Sequence, residues 1–329
     1  MGLKQEVLKY SRQENMTPLT QWFDAKLEEL LDSGVYSDLN SLEDTGQKLV
    51  KGLVNYRKKY GITNVALGMS GGVDSALTAS MFKTAGWKVT GLTMPIHQNP
   101  DETARGIEAC KVLGIEHKHI DLTKTFDSLL KDVAVHDKDI NDKDQALRRG
   151  NLRVRLRMMT VYNEASALKG LVGSTDNFSE LAAGFWTLHG DVGDLAPIQS
   201  LTKSWEVPRL AEIYGVPEST VFATPTDGLG IANGDEDQFG FSYLEFDIIL
   251  MSLCNLTRWD TRSQMLAQLE VPGDELDRAN KILDRIRMSA FKRRNPFNLE
   301  HPLHVERYPG LSNTDLALWA PEPVKSIRR

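Results

Sequence analysis

Cysteine is almost missing from this chain. Cys110 and Cys254 stand far apart among 329 residues. That excludes a disulfide scaffold and a cysteine-rich metal site, and fits a reducing, cytoplasmic compartment. No run approaches the ~20 apolar residues that a membrane helix needs. The opening MGLKQEVLKYSRQENM lacks the apolar centre of a signal peptide. It also carries Glu6 where a myristoylation signal wants Ser or Thr. There is no excess of positive charge: the net charge is −6, which argues against broad nucleic-acid binding. There is no internal repeat and no low-complexity stretch. Both common phosphate-loop signatures, G-x-x-x-x-G-K-[ST] and G-x-G-x-x-G, are lacking as well.

What is present is alternation. Residues 18–60 read as two helices, ended by Gly34 and Gly61. Strands are predicted at 64–67, 88–94, 117–122 and 170–173. Helices are predicted between them at 75–84, 101–113 (capped by Asp101), 126–135 and 143–167. This order predicts an α/β fold: a Rossmann-like, mostly parallel sheet with helices on both faces and extra helices at both ends. After residue 190 the pattern loosens without a clear linker. The reading is one domain over 1–329: a core at about 40–295, a helical extension at 1–40 and a tail at 296–329.

Ligands of open α/β sheets bind at the carboxyl ends of strands. Three such ends are chemically rich: Ser70–Ser75, Thr93–His97 and Ser174–Glu180. The first lies in LGMSGGVDSALTA, residues 67–79. A glycine-rich turn between a buried strand and a helix is a natural anion site. Its N–H groups can turn toward an oxyanion, and the helix N-terminus adds a favourable dipole.

SGGVDS resembles the pyrophosphate loop of the N-type ATP pyrophosphatases, which cleave ATP between its α and β phosphates. Later stretches narrow the likeness. GNLRVRLRMM (150–159), GSTDNFSELAAGFWTLHGDVGDLAPIQSLTK (173–203), TPTDGL (224–229) and DEDQFGFSYLEFD (235–247) together resemble the NAD synthetases. The resemblance implies that the nicotinate carboxylate of deamido-NAD attacks the α-phosphorus of ATP. Ammonia then displaces AMP and leaves the amide.

The resemblance also implies residue roles. Gly68, Met69, Ser70, Gly71, Gly72, Val73, Asp74 and Ser75 form the ATP loop, with Thr175, Lys203 and Thr226 as further ATP contacts. Asp74 begins a helix beside that loop. A carboxylate there repels phosphate unless a cation lies between, so Asp74 is read as a Mg²⁺ ligand, with Glu180 as its partner. Arg155, Asp194 and Lys292 hold deamido-NAD. Asp74, Lys203 and Asp191 are the catalytic candidates, Asp191 as the group that helps deprotonate ammonium. A homodimer is implied, with ATP, deamido-NAD and ammonia as its small-molecule substrates and neither nucleic acid nor membrane as a partner.

Three departures stand out. Bacterial NAD synthetases read T-K-Y-G-D-G-G-x-D where this chain has Thr187-Leu188-His189-Gly190-Asp191-Val192-Gly193-Asp194. A lysine is therefore replaced by Leu188, the loop is one residue short, and His189 is the available substitute cation. A His-Lys pair near the C-terminus becomes Phe291-Lys292. About 60 residues precede the loop, and they contain no cysteine, so no nitrilase-type glutaminase is expected and free ammonia is the expected donor. The alternatives are a tRNA-thiolating pyrophosphatase, which needs reactive cysteines and a basic face, and a nucleotide-binding protein that has lost its chemistry.

Overall fold

Three short, largely buried runs and one polar edge segment, EHKH, form the sheet at the centre of the fold. In the computed structural model, which describes residues 2–13, 17–133, 142–225, 234, 236, 239–253, 256 and 261–294, they become strands of one sheet. These are β1 (Asn64–Gly68), β2 (Lys88–Thr93), β3 (Glu116–His119) and β4 (Leu171–Val172). All pair in parallel, in the order β3-β2-β1-β4. Val65 faces Val89 on one side and Leu171 on the other.

The strand pattern explains the layers. Successive side chains leave opposite faces of a strand. Val65 and Leu67 point into the larger core, with Leu77, Met81 and Phe82 of α4 (Val73–Thr84) and Ala109 and Leu113 of α5 (Pro100–Leu113). Ala66 points the other way, into a smaller core with Leu92, Val172, Phe126 of α6 (Thr123–Val133), and Leu156 and Val161 of α7 (Asp142–Ala167). The expected parallel α/β sheet with a helical layer on each face is what the chain forms.

Several boundaries differ from the sequence reading. The helix after β2 starts at Pro100, and its cap is Asn99, whose side chain accepts from Asp101 N–H at 3.0 Å. Proline at the first helical position is pre-set for that role, which moves the cap back from Asp101. The loop helix α4 starts at Val73, and β3 ends at His119.

Two long helices precede the sheet as expected, α2 (Gln21–Asp32) and α3 (Leu39–Tyr60). Gly61 ends α3 in the left-handed conformation at φ 67°. A further helix, α1 (Leu3–Tyr10), has no counterpart in the sequence reading. Beyond β4 lie α8 (Phe178–Ala183), α9 (Glu206–Ile213), α10 (Glu218–Val221), α11 (Tyr243–Leu253), α12 (Arg262–Gln268) and α13 (Leu276–Met288). A 3₁₀ turn follows at Ala290–Arg294. The tail at 296–329 lies outside the described residues. Among the described residues no helix is long and apolar enough to cross a membrane.

The chain moves outward from β1 to β2 and β3, then returns to β4 on the other side of β1. The direction reverses between β1 and β4. Their carboxyl ends, Gly68 and Val172, flank the crevice that such a reversal opens.

Candidate active site

A cleft of about 780 Å³ lies at that reversal. Its floor is the turn after β1. Gly71 adopts φ +89°, and a Cβ there would stand 2.1 Å from the Glu102 carbonyl oxygen, so only glycine fits. Arg105 Nε donates to the Gly71 carbonyl at 3.2 Å, which fixes the turn from α5. Ser75 Oγ donates back to the Gly72 carbonyl at 2.9 Å and lies 3.3 Å from Ser70 Oγ. The whole segment from Gly68 to Ser75 lines the cleft. The N-terminus of α4 opens directly onto it.

β4 supplies the facing wall. Thr175 lines the cleft one turn beyond the strand. Asn177 caps α8: its side chain accepts from Glu180 N–H at 2.9 Å. Its amide nitrogen also donates to Asp74 Oδ1 at 2.8 Å, tying the two walls together. Lys203 Nζ donates to Asp74 Oδ2 and lies 3.4 Å from Glu180 Oε1. The ammonium also sits over the Tyr243 ring, 5.7 Å from its centroid. Thus Asp74, Glu180 and Lys203, from three distant parts of the sequence, converge on one point. Lys203 is only 9% exposed. Its own backbone is held: Lys203 N–H donates to Ser179 Oγ at 2.9 Å, and Ser204 N–H donates to Asp247 at 2.9 Å. Asp247 is fully buried, and burial pushes its carboxyl up to about 6.

The third wall is the loop 184–191. Asp191 faces the cleft, and Thr187 N–H donates to its Oδ2 at 2.5 Å. Burial raises the Asp191 carboxyl to about 6, with Asp176 pushing the same way and the Thr187 N–H, Lys292 and Arg157 pulling back. Lys292 lines the cleft and donates to the Gly184 and Trp186 carbonyls at 2.6 and 2.5 Å. Burial, then the charge of Arg285, lower its pKa, and Asp191 opposes them.

Not every candidate reaches the cleft. Arg155 is exposed, and its Nε donates to the Leu188 carbonyl at 3.1 Å. Asp194 braces β4 from outside, accepting from Val172 N–H at 3.0 Å and from Tyr162 Oη at 3.2 Å. His189 is exposed on a left-handed turn at φ 61°. Thr226 lies outside the described residues, although its neighbours Thr224 and Pro225 line the cleft.

Sequence reasoning missed Arg157. It lines the cleft, with Nε donating to the Met94 carbonyl at 3.0 Å and Nη2 to Gln98 Oε1 at 2.6 Å. Burial, then the like charge of Arg153, lower its pKa to about 10. Helical spacing gives no signal for Arg157: Leu147, Asn151, Val154, Met158 and Val161 form a stripe along the cleft, and at about 100° per residue Arg155 and Arg157 lie at equal angles on its two sides. Asn177 was missed as well; N-cap spacing alone does not show that its amide reaches Asp74.

Chemically, the cleft offers backbone N–H groups and a helix N-terminus for phosphate, cations to spread its charge, and a carboxylate near neutrality that can take a proton.

The comparisons agree in direction. The NAD synthase family model matches residues 45–296. The ammonia-dependent NAD(+) synthetase of Pyrococcus furiosus is 34% identical over 255 residues, covering 76% of this chain and 93% of its own length. That of Methanosarcina acetivorans is 31% identical over 261 residues, covering 77% and 96%. Among solved structures, an NMN synthetase from Francisella tularensis superposes with a TM-score of 0.64 at 26% identity, covering 79% of this chain and 98% of that one. An NH3-dependent NAD synthetase from Campylobacter jejuni, solved with a nitrate ion, gives 0.61 at 26% identity, covering 79% and 99%. With the family match spanning the glycine turn and all three walls of the cleft, this chain belongs to the NAD synthase family.

Proposed function

We propose that this chain is an AMP-forming ligase that amidates deamido-NAD with ammonia at the expense of ATP. A carboxylate oxygen of the nicotinate attacks the α-phosphorus, the bond to the β-phosphate breaks, and pyrophosphate leaves. Ammonia nitrogen then attacks the adenylated carbonyl carbon, and AMP departs as the amide forms. The observation that carries this reading is the convergence of Asp74, Glu180 and Lys203 beside the Gly71 turn. The turn and the α4 N-terminus receive the departing phosphates, and Lys203 balances their charge. Asp191 takes the proton from ammonium: burial lifts its carboxyl to about 6, and the Thr187 N–H, aided by Lys292 and Arg157, opposes that rise, so it is ionised at neutral pH.

Mg²⁺ belongs to this reading. Asp74 and Glu180 already share one cation, the Lys203 ammonium, and hard carboxylate oxygens beside a phosphate turn suit that metal. Bound there, it would supply charge neutralisation at the phosphates. The two carboxylates would hold it, and Asn177 would keep Asp74 oriented toward it.

Deamido-NAD would lie along the α7 wall, between Arg157 and Lys292. Exposed Arg155 and Met159 sit four residues apart on α7 and favour a second copy of the chain against that face, as a homodimer. A single-domain enzyme working in the cytoplasm, where ATP is supplied, completes the proposal.

The test is an omission assay on the purified chain: ATP, Mg²⁺, ammonium and deamido-NAD, with AMP and amide quantified. Product should require all four. Nicotinate mononucleotide serves as a parallel substrate, because the similar Francisella protein is an NMN synthetase. Faster turnover of the mononucleotide would move the substrate assignment. AMP formation that ignores ammonium would defeat the ligase reading.

A further inference from the structure

The family match begins at residue 45, yet the preceding segment is bonded to the outer side of one wall of the cleft. Two contacts reach the wall that runs from Lys203 to Pro225. The first comes from the turn between α2 and α3. Tyr36 is buried, with its Oη 3.1 Å from Ser204 Oγ. Ser37 Oγ donates to Glu206 at 3.1 Å, and Trp205 Nε1 donates to the Ser37 carbonyl at 2.9 Å. These bonds lie immediately behind Lys203.

The second contact comes from the end of α1. Tyr10 stacks on Phe222, with centroids 5.5 Å apart at 29°, and meets Trp205 edge-on at 5.7 Å. Its hydroxyl donates to Glu212 and accepts from Arg209 at 3.1 Å. Arg12 then turns at φ 62°, a conformation unfavourable for a side-chain-bearing residue, and its Nη2 donates to Thr224 Oγ1 at 3.3 Å. Thr224 and its neighbours Ala223 and Pro225 form one rim of the cleft.

We infer that residues 2–13 and 17–37 are a brace that sets the Lys203–Pro225 wall of the nucleotide cleft, with Tyr10 and Arg12 as its positioning residues at the rim. A segment that served only to bury apolar surface would need Phe23, Leu27 and Leu30 of α2, which are buried. It would not need a cation on a rim threonine. Neither Tyr10 nor Arg12 lines the cleft, so both act on ATP through Phe222 and Thr224. The inference rests on the ATP reading given above and adds a role for the part of the chain outside the family match.

The experiment uses the full chain carrying Arg12→Ala, Arg12→Lys or Tyr10→Phe. Binding of α,β-methylene-ATP, which cannot be split at the reacting bond, is measured by calorimetry beside the melting temperature and the KM values for ATP and deamido-NAD. Arg12→Ala should raise the Kd for the analogue and the KM for ATP about three- to tenfold, the size expected for one ordinary net hydrogen bond at an exposed rim. KM for deamido-NAD should hold, and Tm should move by no more than about 2 °C. Arg12→Lys should recover most of the affinity, and Tyr10→Phe should lose part of it while keeping its ring on Phe222. Unchanged analogue affinity in Arg12→Ala, or a Tyr10→Phe variant that loses Tm but not affinity, would overturn the brace. A wild-type chain that does not bind the analogue would instead overturn the ATP reading, and the brace with it.

Discussion

Gly71→Ala tests the phosphate turn with a single methyl group. The added Cβ would lie 2.1 Å from the Glu102 carbonyl oxygen and 2.9 Å from its carbon. An ordinary carbon–oxygen contact is about 3.3 Å, so one of two backbones must shift by about 1 Å. No rotamer relieves this, because both partners are main chain. The residue also sits at φ +89°, where alanine costs about 1–2 kcal/mol. Overpacking adds about 1–3 kcal/mol. The summed loss is about 2–5 kcal/mol, or roughly a 3–7 °C fall in Tm for a domain of this size, at about 2.1 cal/mol/K of unfolding entropy per residue. The functional loss should be larger in proportion. A displacement of about 1 Å at a positioning element costs on the order of 10²-fold in rate. Pyrophosphate release gives kcat/KM, and differential scanning fluorimetry gives Tm. Gly52→Ala on exposed α3 is the control: nothing lies within 4 Å of its added Cβ. It should stabilise by about 0.5–1 kcal/mol and leave turnover alone. If Gly71→Ala matches wild type in both readings, the turn does not hold phosphate in the way its geometry implies.

Three further substitutions probe the walls. Asp74→Asn should cut kcat by at least ~10²–10³-fold, because the charge shared with Lys203 and Glu180 is lost while the shape is kept; near-normal turnover at saturating Mg²⁺ would remove Asp74 as a metal ligand. Asp191, raised to about 6, carries its charge above that pH and loses it below. The wild-type rate should therefore fall as pH drops through about 6, and Asp191→Asn should abolish that limb and lower kcat about 10²–10⁴-fold. An unchanged acid limb in the variant would assign the titration to another group. Arg157→Ala should raise KM for deamido-NAD by about tenfold or more, consistent with a charged hydrogen bond, and should do so more strongly than Arg155→Ala, which is exposed on the far side of the Leu188 carbonyl. The reverse order would place the dinucleotide against the outer face of α7.

The parts of this molecule legible in its sequence are those governed by local rules. The β1–turn–α4 unit could be read because a buried apolar run, two glycines and a helical pattern occur together within residues 64–84. The order of strands and helices followed for the same reason. The cap at Asn99 escaped because two candidate caps flank one proline, and the proline decides between them. α1 escaped because it is short, and the partners of its buried Tyr10, such as Trp205, Glu212 and Phe222, lie some 200 positions away. In the site, Asp74, Glu180 and Lys203 were found through motif likeness, but their convergence on one point is a tertiary fact. Arg155 and Arg157 lie at equal angles on either side of the stripe from Leu147 to Val161, so only the tertiary structure separates them. Asp191 and Asp194 differ by three positions, and only the loop's path puts one in the cleft and the other behind β4.

The most direct measurement follows oxygen. Deamido-NAD carrying ¹⁸O in both carboxylate oxygens is turned over with ATP and ammonium, and the products are weighed by mass spectrometry. Attack of the carboxylate on the α-phosphorus predicts one ¹⁸O in AMP, one in the amide carbonyl and none in pyrophosphate. Unlabelled AMP, or label in inorganic phosphate beside ADP, would contradict adenylation at the Gly71 turn.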